Sequence, residues 1–333
     1  MNYIGSKHKL LPFIKNTIYH VVGNNLSDRT LCDLFAGTGI IGRGFKKEVK
    51  SVIANDYEYY SFVLNRNYIG NHLVIKESEY FIAKLKETAP QKGFIYANYC
   101  KGSLGDRQYF SDENGMLIDG MRMQLETWSA NKEIDDNLFY FLLASLIESA
   151  DKVANTASVY GAYLKHLKKS AAKKMELKPA YFDITKSAHQ VYNQDSNKLI
   201  NTIEGDILYL DPPYNARQYG ANYHLLNTIA HYDTFKPKGK TGLRSYKTSD
   251  YCSKRTVTKA FEKLIEKAKF NYIFLSYNNE GLMSVGDVKA VMSKYGKYDL
   301  VSTKYQRFKA DKTENRNHLA KSTEEFLHIL EKH

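Results

Sequence analysis

The chain combines two hydrophobic patterns, short apolar runs and apolar positions at helical spacing. The apolar runs predict strands at residues 30–35, 51–56, 207–210, 270–277, 298–308 and 325–330. The helical spacing predicts helices at residues 7–22, from the AGTG segment through residue 45, near 257–269 and near 286–295. Strands that alternate with helices imply an α/β fold with a doubly wound, mostly parallel sheet.

The pattern changes between about residues 76 and 190, where polar, Tyr- and Lys-rich helical stretches replace the alternation. We therefore expect one domain made of residues 1–75 and 191–333, interrupted by an inserted, mostly helical subdomain at 76–190. The most apolar run, LFYFLLASLI at 138–147, is too short for a membrane span and predicts a buried helix. The N-terminus lacks the pattern of a signal peptide, which predicts a cytoplasmic protein with no membrane partner.

Composition narrows the class of partner. The chain has 333 residues, 43% of them hydrophobic and 25% charged, which is typical of a globular protein of roughly two domains. The formal net charge of +12 favours a polyanionic partner, of which nucleic acid is the leading candidate. Three cysteines without close spacing, and histidines without ligand spacing, predict neither a disulfide framework nor a metal site.

The segment DLFAGTG, residues 33–39, carries the first candidate chemistry. Glycines after a strand let the backbone approach a ligand, and the following helix directs N–H groups towards an anion. Asp56 ends the next predicted strand, 23 residues after Asp33, where nucleotide-binding folds place the acid that holds ribose hydroxyls. Because the third glycine of G-x-G-x-x-G is missing, a smaller adenosine-containing ligand fits better than a dinucleotide.

The segment ILYLDPPYNARQY, residues 207–219, is the second segment with candidate chemistry. Two prolines end the strand in a stiff elbow, since they cannot donate to a ladder and restrict their own backbone. The elbow would hold the Asp211 carboxylate, the Pro212 carbonyl and the Tyr214 ring at the carboxyl end of a strand. Two hydrogen-bond acceptors beside a flat ring suit a planar base that carries an amino group.

Three segments in order, NYIGSK at 2–7, DLFAGTG at 33–39 and DPPY at 211–214, resemble the hallmark motifs of the D12-class N6-adenine DNA methyltransferases. The resemblance implies a Rossmann-like methyltransferase sheet, with S-adenosylmethionine as cofactor and duplex DNA as substrate. It assigns cofactor binding to residues of the first two motifs and of two later acids, and catalysis to the third motif. The implied cofactor-binding residues are Tyr3, Lys7, Asp33, Phe35, Gly37, Gly39, Asp56 and Asp195, and the catalytic ones are Asp211, Pro212 and Tyr214.

Within that resemblance, Tyr3 and Lys7 would bind the methionine end of the cofactor, and Asp195 is similar to the acid that contacts its adenine, although a helix cap is an alternative role. The target adenine would be flipped out of the duplex. Asp211 and Pro212 would then accept its two amino hydrogens, and no metal is required.

DNA contacts are predicted from clusters of basic residues. The stretch 236–259 holds eight Lys and Arg residues against one acid, and KYQRFKADK at 304–312 resembles the hairpin of this family that lies against DNA. The inserted subdomain is a candidate for target recognition. The predicted nucleic-acid-binding residues are Arg217, Lys240, Arg244 and Arg307.

The alternatives are an amino-methyltransferase that acts on RNA or protein, and a non-catalytic DNA-binding protein that keeps the fold. The extended motif DPPYNxRQY favours the restriction-modification branch of the family, with a separately encoded endonuclease and no stable protein partner. The segments YGANYHLLNTIA and KGKTG resemble methylases of the NlaIII type, whose target is CATG.

Overall fold

The sheet of the protein has the predicted topology. The computed structural model describes residues 6–305 and 323–333. Its strands are β1 (Thr30–Asp33), β2 (Ser51–Asn55), β3 (Gln190–Tyr192), β4 (Glu204–Leu210), β5 (Lys269–Asn278), β6 (Gly296–Tyr305) and β7 (Thr323–Lys332). They form a sheet in the order β3-β2-β1-β4-β5-β7-β6, in which β7 runs in the direction opposite to that of the other six strands. This order confirms a doubly wound, mostly parallel sheet.

Helices connect the strands. They are α1 (Leu11–Val22), α2 (Ile40–Phe45), α3 (Tyr59–Asn65), α4 (Ser78–Lys86), α5 (Phe94–Tyr99), α6 (Asp112–Ala130), α7 (Asp136–Val153), α8 (Ser196–Leu199), α9 (Tyr219–Asn222), α10 (His224–His231), α11 (Val257–Lys267) and α12 (Val285–Met292). Helix α1 begins later than the spacing predicts, because Lys7–Lys9 form a separate 3₁₀ turn and Pro12 occupies the first turn of α1. No helix in the described ranges is long and apolar enough to cross a bilayer.

The chain forms two compact units. One contains Glu58–Ile184 and Tyr219–Lys247, and the other contains the described residues up to Tyr57 together with Thr185–Gln218 and Thr248–His333. The boundaries therefore differ from those predicted at 75 and 190, since α3 and the segment after the DPPY elbow belong to the first unit. We call them the helical unit and the sheet unit.

The sheet unit has a core of strand residues covered by helices. Residues 207–210 are buried, as expected for a strand covered on both faces. Helix α11 contributes Phe261, Leu264 and Ile265 at helical spacing to the same core. The very short strand β3 was not predicted, because none of its three residues is buried and it carries no apolar run.

The helical unit is only partly helical. Its α7 contains the run at 138–147 as a buried helix, as predicted, and packs against α6. Residues 154–184 contain no helix or strand. Polar side chains of α6 and α7 instead form hydrogen bonds with the backbone of this segment. The Asn114 side-chain amide donates to the Lys173 carbonyl and accepts the Met175 N–H, and the Ser145 hydroxyl accepts the Ala180 N–H. The sequence pattern does not reveal this, because those contacts are long-range.

Candidate active site

The glycine-rich loop after β1 has the backbone that its sequence predicts. Gly37 and Gly39 have φ of 52° and 76°, in the left-handed region that favours glycine. The Asp56 carboxylate, directly after β2, accepts the Gly37 N–H at 2.7 Å. The structure therefore brings both glycines and Asp56 together at the carboxyl ends of adjacent parallel strands.

Asp33, at the end of β1, forms a hydrogen bond with the helix that follows this loop. Its buried carboxylate accepts the N–H of Gly42, in the first turn of α2, at 3.1 Å. Burial raises the pKa of Asp33 to about 8, although the Gly42 N–H opposes the rise. The carboxyl group thus satisfies one N–H of the first turn of α2 and fixes the start of this helix against β1.

Phe35 and Asp195 are two further predicted cofactor-binding residues. Phe35 is half-buried and packs edge-to-face on Tyr251, with ring centroids 5.1 Å apart. Asp195 is exposed and caps α8, because its carboxylate accepts the Lys198 N–H at 3.0 Å. The alternative of a helix cap is confirmed, and a contact with cofactor adenine stays a prediction.

The DPPY elbow follows β4 directly and places Asp211 beside an ammonium group. Lys7 Nζ lies 3.1 Å from Asp211 Oδ1 and 2.9 Å from Glu325 Oε1. The Ser276 hydroxyl, near the end of β5, donates to the same Glu325 oxygen at 3.0 Å. The exposed fractions are 6% for Lys7, 8% for Glu325 and 18% for Asp211, so the cluster is largely shielded from water.

Burial and charge oppose each other in this cluster. Burial raises the pKa of Asp211, Lys7 lowers it and Glu325 raises it, and the outcome is about 6. Burial alone would lower the pKa of Lys7, but Asp211 and Glu325 raise it well above its usual value. At neutral pH, Lys7 is therefore charged and Asp211 is mostly an ionised hydrogen-bond acceptor.

Tyr214 presents a half-buried ring next to this cluster. Lys7 Nζ lies 5.9 Å from the ring centroid, and Tyr277 packs edge-on against the same ring at 6.5 Å. The Tyr214 carbonyl accepts the Leu282 N–H at 3.0 Å. A Cβ on Gly281 would lie 2.1 Å from the Tyr277 ring, so the turn after β5 needs glycine there. The ring is thus held in place from two sides.

Glu325 and Ser276 extend the set of predicted site residues. From the sequence, Ser276 at the end of a predicted strand is equally compatible with a place at the border of the site and with a core role, and nothing in the sequence points to Glu325. The chain reads Glu324-Glu325 at the start of β7, and successive strand residues face opposite sides. Which glutamate faces the site depends on the register, in which Glu325 is paired with Asn278 of β5.

The predicted DNA-binding residues have different surroundings. Arg217 and Lys240 are exposed. Arg244 instead forms a two-point ion pair with Asp233, at 3.0 and 2.9 Å, and its guanidinium lies 5.0 Å from the ring centroid of Phe235. The remaining predictions, Arg307 here and Tyr3 for the cofactor, lie outside the described residues.

Among residues 6–305 and 323–333, no group of three or more His, Cys, Asp or Glu side chains could hold a metal ion. The three cysteines are buried free thiols.

Comparison with known proteins finds similar type II methyltransferases. The chain is 64% identical over 332 residues to the type II methyltransferase M.NlaIII of Neisseria lactamica, covering 100% of this chain and 99% of that one. It is 37% identical to the type II methyltransferase M.CviAII of Paramecium bursaria Chlorella virus 1, over 93% of each. It is 38% identical to the type II methyltransferase M.FokI of Planomicrobium okeanokoites, over 93% of this chain but only 50% of that one.

The sequence profile of the D12 class N6 adenine-specific DNA methyltransferases matches residues 3–291, a range that contains the glycine-rich loop, Asp56 and the DPPY elbow. The chain belongs to this family of D12-class N6 adenine-specific DNA methyltransferases.

Proposed function

We propose that the chain uses S-adenosylmethionine to methylate the 6-amino group of adenine within CATG in duplex DNA, as the modification enzyme of a type II restriction-modification system. The observation that carries the chemistry is the Asp211 carboxylate, 3.1 Å from Lys7 Nζ, which in turn lies 5.9 Å from the centroid of the half-buried Tyr214 ring. A carboxylate beside an aromatic face suits a flat base with an amino group.

The residues of the glycine-rich loop fit the proposed cofactor. Gly37 and Gly39 give the loop a left-handed backbone without side chains, and Asp56 provides a carboxylate for ribose hydroxyls. The carboxylates of Asp56 and Asp211 both act electrostatically on Asp33, so two carboxylates other than Asp33 lie at this edge of the sheet and suit a cation. When bound, S-adenosylmethionine supplies a methyl group on a positively charged sulfonium.

The residues of the elbow would activate the adenine. The lone pair of its amino nitrogen is delocalised into the ring, so the amine is a poor nucleophile until its hydrogens are held. In the proposal, Asp211 and the Pro212 carbonyl accept these hydrogens and orient the lone pair. Methylation leaves one proton too many on the nitrogen, and Asp211 is the carboxylate that takes it. Stacking on Tyr214 would return roughly 1–3 kcal/mol of the few kcal/mol that base flipping costs.

A short hairpin in the helical unit supports a DNA-binding surface. Lys238 and Leu243 pair antiparallel around a turn with Lys240 exposed near its tip. The Arg107 guanidinium donates to the carbonyls of Gly239 and Lys240, both at 3.2 Å. Arg107 thus stabilises the backbone of the turn, while the exposed Lys240 side chain can contact phosphate. We propose that Arg107 and Arg244 support the surface and that Lys240 and Arg217 contact DNA.

The target and the biological setting rest on resemblance. The segments YGANYHLLNTIA and KGKTG, which include the braced hairpin, resemble methylases that act on CATG. The relatives named above are type II methyltransferases. We therefore propose a separately encoded endonuclease with the same target, and an enzyme that acts without a stable protein partner.

The deciding experiment is transfer of a labelled methyl group from S-adenosylmethionine to two unmethylated duplexes, one with a single CATG and one with those four bases shuffled. Nucleoside analysis identifies the product. We expect N6-methyladenine in the first duplex only, and none with Asp211→Asn, which keeps the shape of the side chain but removes its charge.

Other outcomes separate the parts of the proposal. N6-methyladenine in both duplexes would refute CATG but keep the reaction. Methylation of single-stranded RNA but of neither duplex would make RNA the substrate. Cofactor binding without methylation of any nucleic acid would leave a DNA-binding protein with the methyltransferase fold.

A further inference from the structure

Glu325 reaches the site from the far end of the described chain. Strand β7 runs antiparallel to β5, so the start of β7 lies at the edge where β5 ends. Glu325 is paired there with Asn278, and its carboxylate contacts Lys7, which is 318 positions away in sequence. We propose that Glu325 is a positioning residue, which shares the Lys7 ammonium with Asp211 and keeps a net negative charge beside the reacting amine; this rests on the proposed function.

The charge count of the cluster argues for a functional role. Lys7 is shared by two carboxylates, Asp211 and Glu325, all three largely buried. A single Lys7–Asp211 pair would already be neutral, and burying a second carboxylate costs desolvation without adding an opposite charge. A cluster selected only for stability would therefore gain from an uncharged residue at position 325.

Within the part of the chain that the structure describes, the neighbouring titratable groups do not cancel this charge. Burial raises the pKa of both Tyr209 and Tyr214, so these phenols stay neutral. Asp33, with its raised pKa of about 8, is mostly protonated near neutral pH. Lys7 is the cation that faces both carboxylates, so the cluster as a whole carries a net negative charge.

A net negative charge is useful where positive charge develops. The amine nitrogen becomes cationic as it is methylated, and it loses a proton only afterwards. Preorganised negative charge nearby stabilises that transient cation and also makes Asp211 a stronger proton acceptor. Fixing Lys7 at 2.9 Å on Glu325 stops the ammonium from moving wholly onto Asp211, where it would neutralise the carboxylate.

The test is the pH dependence of kcat for Glu325→Gln, which keeps the shape and the contact with Ser276 but removes the charge. We expect the acid limb to move about one pH unit lower, because a nearby like charge that raises the pKa of Asp211 is lost. On the plateau, kcat should fall about tenfold while KM for DNA stays within about twofold.

The matched control is Glu324→Gln. Glu324 precedes Glu325 in β7, is exposed and accepts a hydrogen bond from Ser302. The control substitution therefore removes the same charge from the other face of the sheet. Its acid limb should match that of the wild type. If Glu325→Gln does not fold, Glu325→Asp provides the measurement: it keeps the charge but shortens the reach, so it should lower kcat and leave the acid limb in place.

An unmoved or raised acid limb in folded Glu325→Gln would overturn the inference, as would an unchanged kcat in Glu325→Asp where that variant is needed. A wild type that transfers no methyl group to DNA would instead overturn the proposed function. The two failures are therefore distinguishable.

Discussion

Replacing Lys7 by methionine is the most direct perturbation of the active-site charges. Methionine has a similar length and fills the same space without the ammonium that lies 3.1 Å from Asp211. The variant leaves two buried carboxylates, Asp211 and Glu325, with no cation between them. Because burial and Glu325 both raise the pKa of Asp211 and Lys7 lowers it, the pKa of Asp211 must rise in Lys7→Met.

The size of the effect follows from the distance. An opposite charge in direct contact lowers the pKa of a carboxyl group by about 1 to 3 units, so its loss should raise the pKa of Asp211 from about 6 to between about 7 and 9. The ionised fraction at pH 7 then falls from about nine-tenths to between about one half and one hundredth. Activity at pH 7 should fall by about 2- to 100-fold.

The assay is methyl transfer to a DNA duplex from pH 5 to pH 10, with kcat measured at each pH. Wild type should lose activity as the pH falls through about 6, whereas Lys7→Met should lose it at a higher pH and recover when the pH is raised. Lys7→Arg keeps the charge and should keep the wild-type limb. Lys15→Met, which removes a lysine paired with Glu48 elsewhere in the sheet unit, should also match wild type.

The pH rescue distinguishes this explanation from simple damage to the site. If Lys7→Met were equally impaired at all pH values, Lys7 would act through contacts and not through the charge of Asp211. If its acid limb stayed near pH 6, the electrostatic reasoning would be refuted.

Two further predictions concern the cofactor loop and the hairpin. Gly37→Ala forces a side chain into the left-handed region, at a cost of about 1–2 kcal/mol, and should weaken S-adenosylmethionine binding about 5- to 30-fold by calorimetry. Gly286→Ala, within α12 and with ordinary contact to its neighbours, is the control that should bind normally. Lys240→Ala should reduce the salt dependence of DNA binding by about one ion. Arg107→Met removes the hydrogen bonds to the turn and should raise KM for DNA while kcat stays unchanged. An unaltered salt slope in the first variant or an unaltered KM in the second would show that the hairpin is not part of the DNA-binding surface.

Local chemistry explains why much of the sheet unit could be predicted. Prolines that end β4 and glycines that require left-handed backbone act within a few residues, so Asp211 and Gly37 could be placed from sequence. The contact between Lys7 and Glu325 could not, because it depends on the insertion of β7 between β5 and β6 and on its register. The same limit applies to Arg244, whose ion pair with Asp233 is visible only in the folded chain.

The insertion of β7 also concerns how the enzyme becomes active. Strand β7 lies between β5 and β6, inside the sheet, so it must pair on both sides at once. Its pairing with β5 spans about fifty residues, and such non-local pairing forms slowly. Since Glu325 enters the site with this strand, catalytic competence should be gained late in folding, once β7 has paired with both of its neighbours. A chain in which β7 has not yet paired would then lack the carboxylate that contacts Lys7.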